Sequence, residues 1–322
     1  MRLPRRTLLA GMLGTPALAT PALAQPRFPD RPITVLVPFP AGGATDVQMR
    51  ALAEAASRAL GQTVITENRP GAGSTLGPAT VARAKPDGYL LSQMTLPALR
   101  LPFMQRMAYD PRRDFTPIIH LTGYTFGVVV RADSPWRSWA ELVADARQHP
   151  GRHRWGNTGA NGTPHLTMVD LAERERLDVV HVPFRGEADS TPALLGGHIE
   201  ATAGGTGSNQ LVADGKLRFL NFWTRTRLPR WPEVPTLVDL GYAGMVVTSP
   251  YGLVGPAGLD AEITAVLQDG FRRALHDPSH LAVLERLDQP LEYLDAAAYA
   301  RNMAETIDME EARVKRLGLS AG

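Results

Sequence analysis

Short β-branched runs alternate with helical stretches along most of the chain. The first run, residues 33–38, is followed by a glycine-bearing turn, by apolar residues at helical spacing from Asp46 to a stop at Gly61, and by a second run at 63–66. This order is the βαβ unit of a parallel sheet. Further strand-like runs lie at 89–91, 126–130, 179–182 and 219–222, with helical stretches such as 138–147 and 165–173. The alternation predicts an α/β fold rather than a β-sandwich or a helical bundle.

The last third of the chain predicts a return to the first domain. A strand near 249–254 is followed by Pro- and Gly-rich turns and by two amphipathic helices, 261–276 and 296–317. Helices that follow a second α/β block at the end of the chain indicate that the chain returns to the first domain. Two lobes would then be joined by more than one crossing, and the crossings would together form a hinge. We expect each lobe to be a mainly parallel sheet flanked by helices. The predicted divisions are 25–126 plus 248–322 for lobe 1 and 127–247 for lobe 2.

The first 24 residues predict an export signal. Arg5 and Arg6 precede a short apolar stretch that ends in an A-x-A cleavage site at 22–24. The paired arginines fit twin-arginine export, and the general secretory route is the alternative. The stretch is shorter than the roughly 20 residues that span a bilayer. We therefore expect a soluble, periplasmic protein.

Charge and cysteine content exclude several classes of function. The whole chain has a formal charge of +2, and removing Arg2, Arg5 and Arg6 with the predicted signal leaves −1. A nucleic-acid partner is therefore not expected. The chain has no Cys, so disulfides, thiolate metal sites and a Cys nucleophile are excluded.

Motifs of enzyme active sites are missing from the sequence. It contains no G-x-S-x-G elbow, no H-E-x-x-H pair and no Walker loop. We expect no catalytic residues, no bound metal and no cofactor. The alternative from another class is an exported hydrolase or lyase that uses His165 with Asp46 or Glu187.

The turn between the first strand and its helix, residues 38–46, is the first candidate binding loop. Ligands of open α/β sheets lie at the carboxyl ends of strands. Gly42 and Gly43 lack a Cβ, so a ligand can approach their N–H groups closely. The helix N-terminus behind them favours an anion such as a carboxylate. Asp46 is better interpreted as a cap for the first-turn N–H groups than as a ligand contact, and an ordinary βα connection is the alternative for the whole turn.

A second loop, residues 158–165, has the same design of small residues opening a helix. It offers backbone donors and the amide of Asn161, and Thr163 is the predicted N-cap. His165 could bind a ligand through its ring, but a structural role is the favoured interpretation of a single His near a helix start.

The third loop, residues 182–187, also follows a strand. Phe184 could form a pocket wall, and Arg185 could make a bidentate bond to a carboxylate. Solvated surface is the alternative interpretation for Arg185 and Glu187.

A glycine-bearing segment at 67–77 suggests nucleotide binding at first sight. Its spacing is G-x-G-x-x-x-G, and the acidic residue expected about 20 positions later is missing. The segment is better interpreted as a turn that packs a strand against a helix.

A series of short motifs occurs along the chain: PDRPI at 29–33, VPFPAGGATD at 37–46, ENRPGAG at 67–73, KPDGY at 85–89, DFTPI at 114–118, NGTPH at 161–165, HVPFRG at 181–186, LGGHIE at 195–200, GKLR at 215–218, PEVPT at 232–236 and GLVGPAG at 252–258. In this order the motifs resemble those of the Bug family of extracytoplasmic solute receptors, which serve tripartite tricarboxylate transporters. The resemblance implies a two-lobed periplasmic-binding-protein fold of the Venus flytrap kind. It also implies that a small organic or aromatic carboxylate is held in the cleft between the lobes.

The resemblance carries a set of ligand-binding residues onto this chain. The implied carboxylate cradle, with neighbouring positions that should face the cleft, comprises Phe39, Ala41, Gly42, Gly43, Ala44, Thr45, Asp46, Gln93, Asn161, Gly162, Thr163, His165, Phe184, Arg185, Gly186, Glu187 and Thr206. The implied partners are the carboxylate and the membrane components of a tripartite tricarboxylate-type transporter. A membrane sensor kinase is the alternative partner, and the receptor is expected to be a monomer.

The chain departs from the family pattern in three places. Ser92-Gln93-Met94 stand where a Gly-Thr or Gly-Ser pair is common, Ala160 stands where Gly is usual, and 203–206 lack a frequent Asp. An amino-acid ligand would need an acid to face its ammonium group. The missing Asp therefore favours a plain organic or aromatic acid unless Glu187 substitutes for it.

Overall fold

Two β-sheets with helices packed against them form the structure, a computed structural model that describes residues 28–242, 244–316 and 318–319. The predicted export signal lies outside these residues, and so does residue 317 at the end of the last predicted helix. The strands are β1 Ile33–Val37, β2 Val64–Asn68, β3 Leu90–Thr95, β4 Phe115–Thr125, β5 Gly127–Arg131, β6 Arg154–Thr158, β7 Val180–Phe184, β8 Ala201–Gly204, β9 Leu217–Phe222, β10 Thr248–Pro256 and β11 Leu291–Leu294. The helices are α1 Ala44–Leu60, α2 Leu76–Val81, α3 Leu96–Arg100, α4 Trp139–Gln148, α5 Thr163–Arg174, α6 Glu187–Leu195, α7 Asn209–Ala213, α8 Ala261–Leu275, α9 Pro278–Arg286 and α10 Ala296–Arg316.

The chain passes from one sheet to the other and back. The first sheet has the strand order β11-β4-β10-β3-β1-β2, and the second has the order β7-β6-β8-β5-β9. The first crossing is the step from Thr125, which ends β4, to Gly127, which begins β5. The return lies between Phe222 and Thr248. The predicted α/β fold is thus confirmed.

The expectation of mainly parallel sheets was wrong, because both sheets are mixed. β1 pairs in parallel with β2 and β3, and β6 does so with β7 and β8. Every antiparallel pair among the described strands includes β4, β5 or β10. These strands lie next to the crossings, where the chain enters or leaves a sheet. No single helical crossover within one sheet joins the two strands of any of these pairs, and such a crossover is what makes neighbouring strands parallel.

The apolar core is buried on both faces of the central strands. Ile33, Val35, Leu36 and Val37 of β1 are all fully buried, as expected for a parallel strand covered by helices on both sides. On this sheet α1 packs against α8, and α10 packs against β4.

Aromatic side chains make the core continuous across the first crossing. The ring of Tyr124 lies 4.6 Å from that of Tyr251 in the first sheet. Phe126, between β4 and β5, lies 5.8 Å from Tyr124 and 5.6 Å from Trp223 beyond β9. The point at which the chain changes sheets is therefore packed and not an open linker.

Gly127 at this crossing leaves no room for a side chain, and we predict that G127A destabilises the fold. An added methyl group would lie 2.6 Å from the backbone oxygen of Asn221 and 2.9 Å from Cδ1 of Phe222. Overpacking against backbone costs about 1–3 kcal/mol, which urea denaturation would measure. The control is G204A, because Gly204 is the cross-strand partner of Gly127 and its methyl group would meet nothing closer than 3.6 Å. Equal losses in both variants would contradict this account.

Candidate functional site

A cavity of about 350 Å³ lies between the loop edges of the two sheets. Its first side is formed by the loop after β1, the turn after β2, the segment around α3 and the end of β4. Its second side is formed by the loops after β6, β7 and β8. The residues that line it are Phe39, Pro40, Gly43, Ala44, Thr45, Gly71, Ala72, Gly73, Ser74, Thr95, Pro97, Leu101, Gln105, Tyr124, Phe126, Thr158, Gly159, Ala160, Asn161, Gly162, Thr163, Pro164, Pro183, Phe184, Arg185, Glu187, Ala188, Gly205 and Ser249.

The two sides touch each other around the cavity. A methyl group on Gly186 would lie 2.6 Å from Cδ of Pro40. One on Gly43 would lie 3.8 Å from Cβ of Ala188. The loops of the two sheets are therefore in direct contact, and the structure has the two sides closed on each other.

The first loop presents the N-terminus of α1 to the cavity. Gly43 precedes the helix with an extended backbone and no side-chain cap. The first N–H groups of a helix have no acceptor within it, and Gly43, Ala44 and Thr45 all line the cavity. These donors are available to an anion.

Asp46 holds this loop in place from behind. Its buried carboxylate accepts hydrogen bonds from the Gly42 N–H, Arg50 Nε and Asn68 Nδ2, each at 2.9 Å. Burial favours the protonated form, but these bonds outweigh it and lower the pKa of Asp46. Asp46 therefore caps Gly42, just before the helix, and not the first-turn N–H groups that the sequence suggested.

The second loop presents α5 in a similar way, but not through the predicted cap. Gly162 precedes the helix without a side-chain bond, and Thr163 is the first helical residue. The expectation of a Thr163 cap was therefore wrong. His165 accepts the N–H of Asn161 at Nδ1, 3.1 Å away, and Asn161 has a left-handed backbone with φ of 57°. The ring of His165 thus fixes the loop conformation, and burial lowers its pKa.

Arg100 joins this loop to the opposite side of the cavity. Its side chain is buried at the end of α3, and Nη2 donates to the Asn161 carbonyl at 3.2 Å and to Thr163 Oγ1 at 3.3 Å. Nη1 lies 3.2 Å from the carboxylate of Glu310 on α10. Burial lowers the pKa of Arg100 to about 10, against the opposing effect of Glu310. This role could not be predicted from neighbouring residues, because Arg100 stands in an otherwise apolar segment.

The third loop contributes a wall and an ion pair at the rim. Phe184 lines the cavity. Arg185 also lies there, but its side chain is 67% exposed and its Nε bonds to Asp189 at 2.9 Å. The guanidinium is thus already engaged, and the predicted bidentate bond to a ligand is not preformed.

Glu187 begins α6 and carries the acidic group of the lining. Its carboxylate lies 3.4 Å from the Ser208 hydroxyl and accepts the backbone N–H groups of Gly207 and Ser208. Burial raises the pKa of Glu187 to about 7 in spite of these hydrogen bonds.

Tyr124 is a cavity residue that the sequence reasoning missed. Its oxygen accepts hydrogen bonds from Thr45 Oγ1 at 3.0 Å and from Gln93 Nε2 at 2.8 Å. A phenol has one hydrogen of its own to donate, so that hydrogen remains for a ligand in the cavity. Burial also raises the pKa of Tyr124, which keeps the group protonated.

The structure brings ten of the predicted residues to the cavity lining: Phe39, Gly43, Ala44, Thr45, Asn161, Gly162, Thr163, Phe184, Arg185 and Glu187. Seven others lie outside the lining: Ala41, Gly42, Asp46, Gln93, His165, Gly186 and Thr206. Several of these support the lining from behind, as Gln93 does for Tyr124. Thr206 bonds to the backbone oxygen of Leu287 across the sheets.

The turn at 71–74 was interpreted only as packing a strand against a helix, and its place in the cavity wall was not predicted. It lines the cavity, and Cα of Gly73 lies 4.0 Å from the position of a methyl group on Gly159 in the second loop. Its position at the end of β2, the parallel neighbour of β1, is the signal that would have placed it there.

One group of possible metal ligands is present in the described part of the chain, formed by Asp145, His149 and His153. Both His rings lie within hydrogen-bonding distance of the Asp145 carboxylate, at 3.1 and 3.0 Å. These bonds tie the end of α4 to the approach to β6, and none of the three residues lines the cavity. In the described residues, no helix is long and apolar enough to span a membrane.

Comparison with known proteins identifies the family. Residues 48–319 match the model of the tripartite tricarboxylate transporter family receptor, TctC. The chain is 41% identical over 314 residues to the UPF0065 protein in the gbd 5' region of Cupriavidus necator, covering 98% of this chain and 94% of that protein. The chain belongs to the tripartite tricarboxylate transporter receptor family.

Two solved structures have the same fold as this chain. The periplasmic binding protein BugD is 28% identical with a TM-score of 0.85, covering 91% of this chain and 99% of that chain. MatC from Rhodopseudomonas palustris with bound malate is 28% identical with a TM-score of 0.82, covering 88% and 99%. The resemblance to Bug receptors and the periplasmic-binding-protein fold are thus confirmed.

The buried ion pair of Arg100 makes a prediction about stability. R100M removes the buried partner of the Glu310 carboxylate and leaves it only the part-exposed Arg313, 3.7 Å away; breaking a buried pair in this way costs about 3–5 kcal/mol. The double variant R100M/E310M should recover most of the loss, because no buried charge is then left without its close partner. Urea denaturation of the three proteins measures this, and a double variant as unstable as R100M would refute the assignment.

Proposed function

We propose that this chain is an extracytoplasmic solute-binding receptor that captures a small carboxylate for a tripartite tricarboxylate-type transporter. The observation that carries the proposal is the convergence of three helix N-termini on one closed cavity. The first residues of α1, α5 and α6 all line it. Each N-terminus carries partial positive charge and free N–H groups, which together bind anions.

The remaining lining suits the body of an organic acid. Thr45, Tyr124 and Thr163 add hydroxyl groups, while Phe39 and Phe184 supply aromatic surface. Arg185 is already paired at the rim. The carboxylate would therefore be neutralised mainly by backbone dipoles and hydroxyls, and not by a positively charged side chain.

Closure would follow from contacts made to both sides at once. We infer that residues 25–126 with 248–322 form lobe 1 and residues 127–247 form lobe 2. A ligand that bonds to α1 and α5 together binds the closed state better than the open one, and this difference shifts the equilibrium. The bonds of Arg100 to the second loop add to the closed state.

The geometry argues against the enzyme alternative. His165 has its Nδ1 committed to the Asn161 N–H, and Asp46 is committed to three donors. Neither lines the cavity. We therefore infer that the chain is a non-catalytic receptor. We further propose that this receptor is periplasmic and monomeric, and that its partners are the membrane components of the transporter. The malate bound to the related MatC supports a carboxylate as the ligand.

A thermal-shift panel of acids tests the proposed function. A ligand at 100 times its Kd adds about 2.7 kcal/mol to the stability of the native state, so at least one small carboxylate should raise the Tm clearly. The panel comprises aliphatic and aromatic mono-, di- and tricarboxylates and amino acids, and the neutral amides of the same acids are the control. If no acid raises the Tm, the proposal fails.

The Tyr124 hydroxyl makes a second prediction. Y124F should weaken binding of the acid found in the panel by about 10-fold or more, since a hydrogen bond to a charged group is worth about 1.5–3 kcal/mol. Isothermal titration calorimetry measures the change. The matched control is Y251F, because Tyr251 packs on Tyr124 but bonds to Gln48 and Gln289 outside the cavity. An unchanged affinity in Y124F would exclude Tyr124 as a ligand contact.

A further inference from the structure

The carboxylate of Glu187 lies at the cavity wall against the glycine-rich segment 204–207. A methyl group on Gly204 or Gly205 would lie 3.6 or 3.7 Å from its oxygens. One on Gly207 would lie 2.5 Å from Oε2. The glycine at 207 therefore lets the backbone N–H groups of Gly207 and Ser208 reach the carboxylate, and a larger residue there would displace it.

The groups around this carboxylate are all neutral donors. The turn at 206–208 supplies two N–H groups and the Ser208 hydroxyl. In the loop just before its helix, Arg185 is exposed at the rim and pairs with Asp189 of α6. From the other sheet, Tyr124 lies near enough for Glu187 to affect its pKa, and Asp46 faces Arg50 and Asn68 instead. Among the residues that the structure describes, no Lys, Arg or His forms an ion pair with Glu187.

Such surroundings solvate the ionised carboxylate but do not neutralise it. All three groups can donate to the charged form, and of the three only the Ser208 hydroxyl could accept a hydrogen bond from the neutral form. Glu187 is half-buried in the cavity wall, where a charge without a counter-charge is partly desolvated and therefore costly, and its raised pKa has the same cause. A cation brought by the ligand would complete the arrangement.

We propose that Glu187 is a subsite for a positively charged nitrogen, and that the ligand of this receptor carries an ammonium group as well as a carboxylate. The inference rests on the proposed function and specifies its ligand class. The carboxylate of such a ligand would lie at the N-termini of α1 and α5, and its ammonium group would face Glu187. A dicarboxylate would instead bring a second negative charge towards Glu187. This ligand class replaces the plain acid favoured by the sequence.

Matched pairs of ligands that differ only in an amino group test the proposal. We would titrate the wild type calorimetrically at pH 7.5 with phenylalanine against 3-phenylpropionate and with leucine against 4-methylpentanoate. The ammonium-bearing member should bind at least 10-fold more tightly in at least one pair. E187Q should reduce its affinity by at least 10-fold and remove the preference.

A control variant separates a local effect from a change in total charge. E173Q removes one negative charge from an exposed position on α5 and should leave the preference unchanged. E187Q itself should unfold at the same temperature as the wild type or higher, because it removes an unpaired, half-buried charge. A preference that survives in E187Q, or that is lost equally in E173Q, overturns the proposal.

The outcomes also distinguish this inference from the proposed function. If plain acids bind and their ammonium-bearing counterparts bind no more tightly in both pairs, the subsite is wrong and the carboxylate receptor stands. If no acid of either kind binds in the titrations or the thermal-shift panel, the carboxylate receptor fails, and the subsite fails with it.

Discussion

Packing of the loop after β1 against the loop after β7 is the contact on which the cavity depends. An added Cβ at Gly186 would lie 2.6 Å from Cδ of Pro40, so a side chain there would require one of the two loops to shift. The aromatic series from Tyr251 through Tyr124 and Phe126 to Trp223 holds the sheets together at the first crossing. The crossing and the loop contact together position the two sides of the cavity, so apolar packing defines it before any polar group contributes.

Local periodicity was sufficient to predict most of the central elements. Runs such as β1 and helices such as α1, with its left-handed stop at Gly61, are encoded by neighbouring residues. β6 and β8 were among the strands missed, because sequences such as RWGNT and ATAG are not β-branched runs and become strands through pairing with their neighbours in the sheet. Strand direction was also beyond local patterns, since it depends on where the chain changes sheets.

The candidate site also has parts that neighbouring residues encode and parts that depend on the fold. Glycine-bearing turns at the ends of parallel strands can be found in a sequence, because strand ends and ligands coincide in such folds. Tyr124 and Arg100 could not be found, since the partners of Tyr124 lie 31 and 79 residues away, those of Arg100 lie 61 or more away, and only the fold brings them near. Glu187 was predicted as a site residue and lines the cavity, but its surroundings could not be predicted, since they come from a turn about 20 residues later. Sequence reasoning therefore located the backbone of the site better than its side chains.

The dehydrated guanidinium of Arg100 has a consequence for how affinity can evolve in this receptor. If the second loop moves away, water can reach Arg100, and the electrostatic cost of keeping it dry falls. The free energy gained by hydrating Arg100 would then partly offset the hydrogen bonds that it loses to the second loop. The equilibrium between closed and open forms would thus depend on a residue that need not contact the ligand. Substitutions around α3 and α10 would thus adjust how strongly the protein holds its cargo while leaving the choice of cargo untouched.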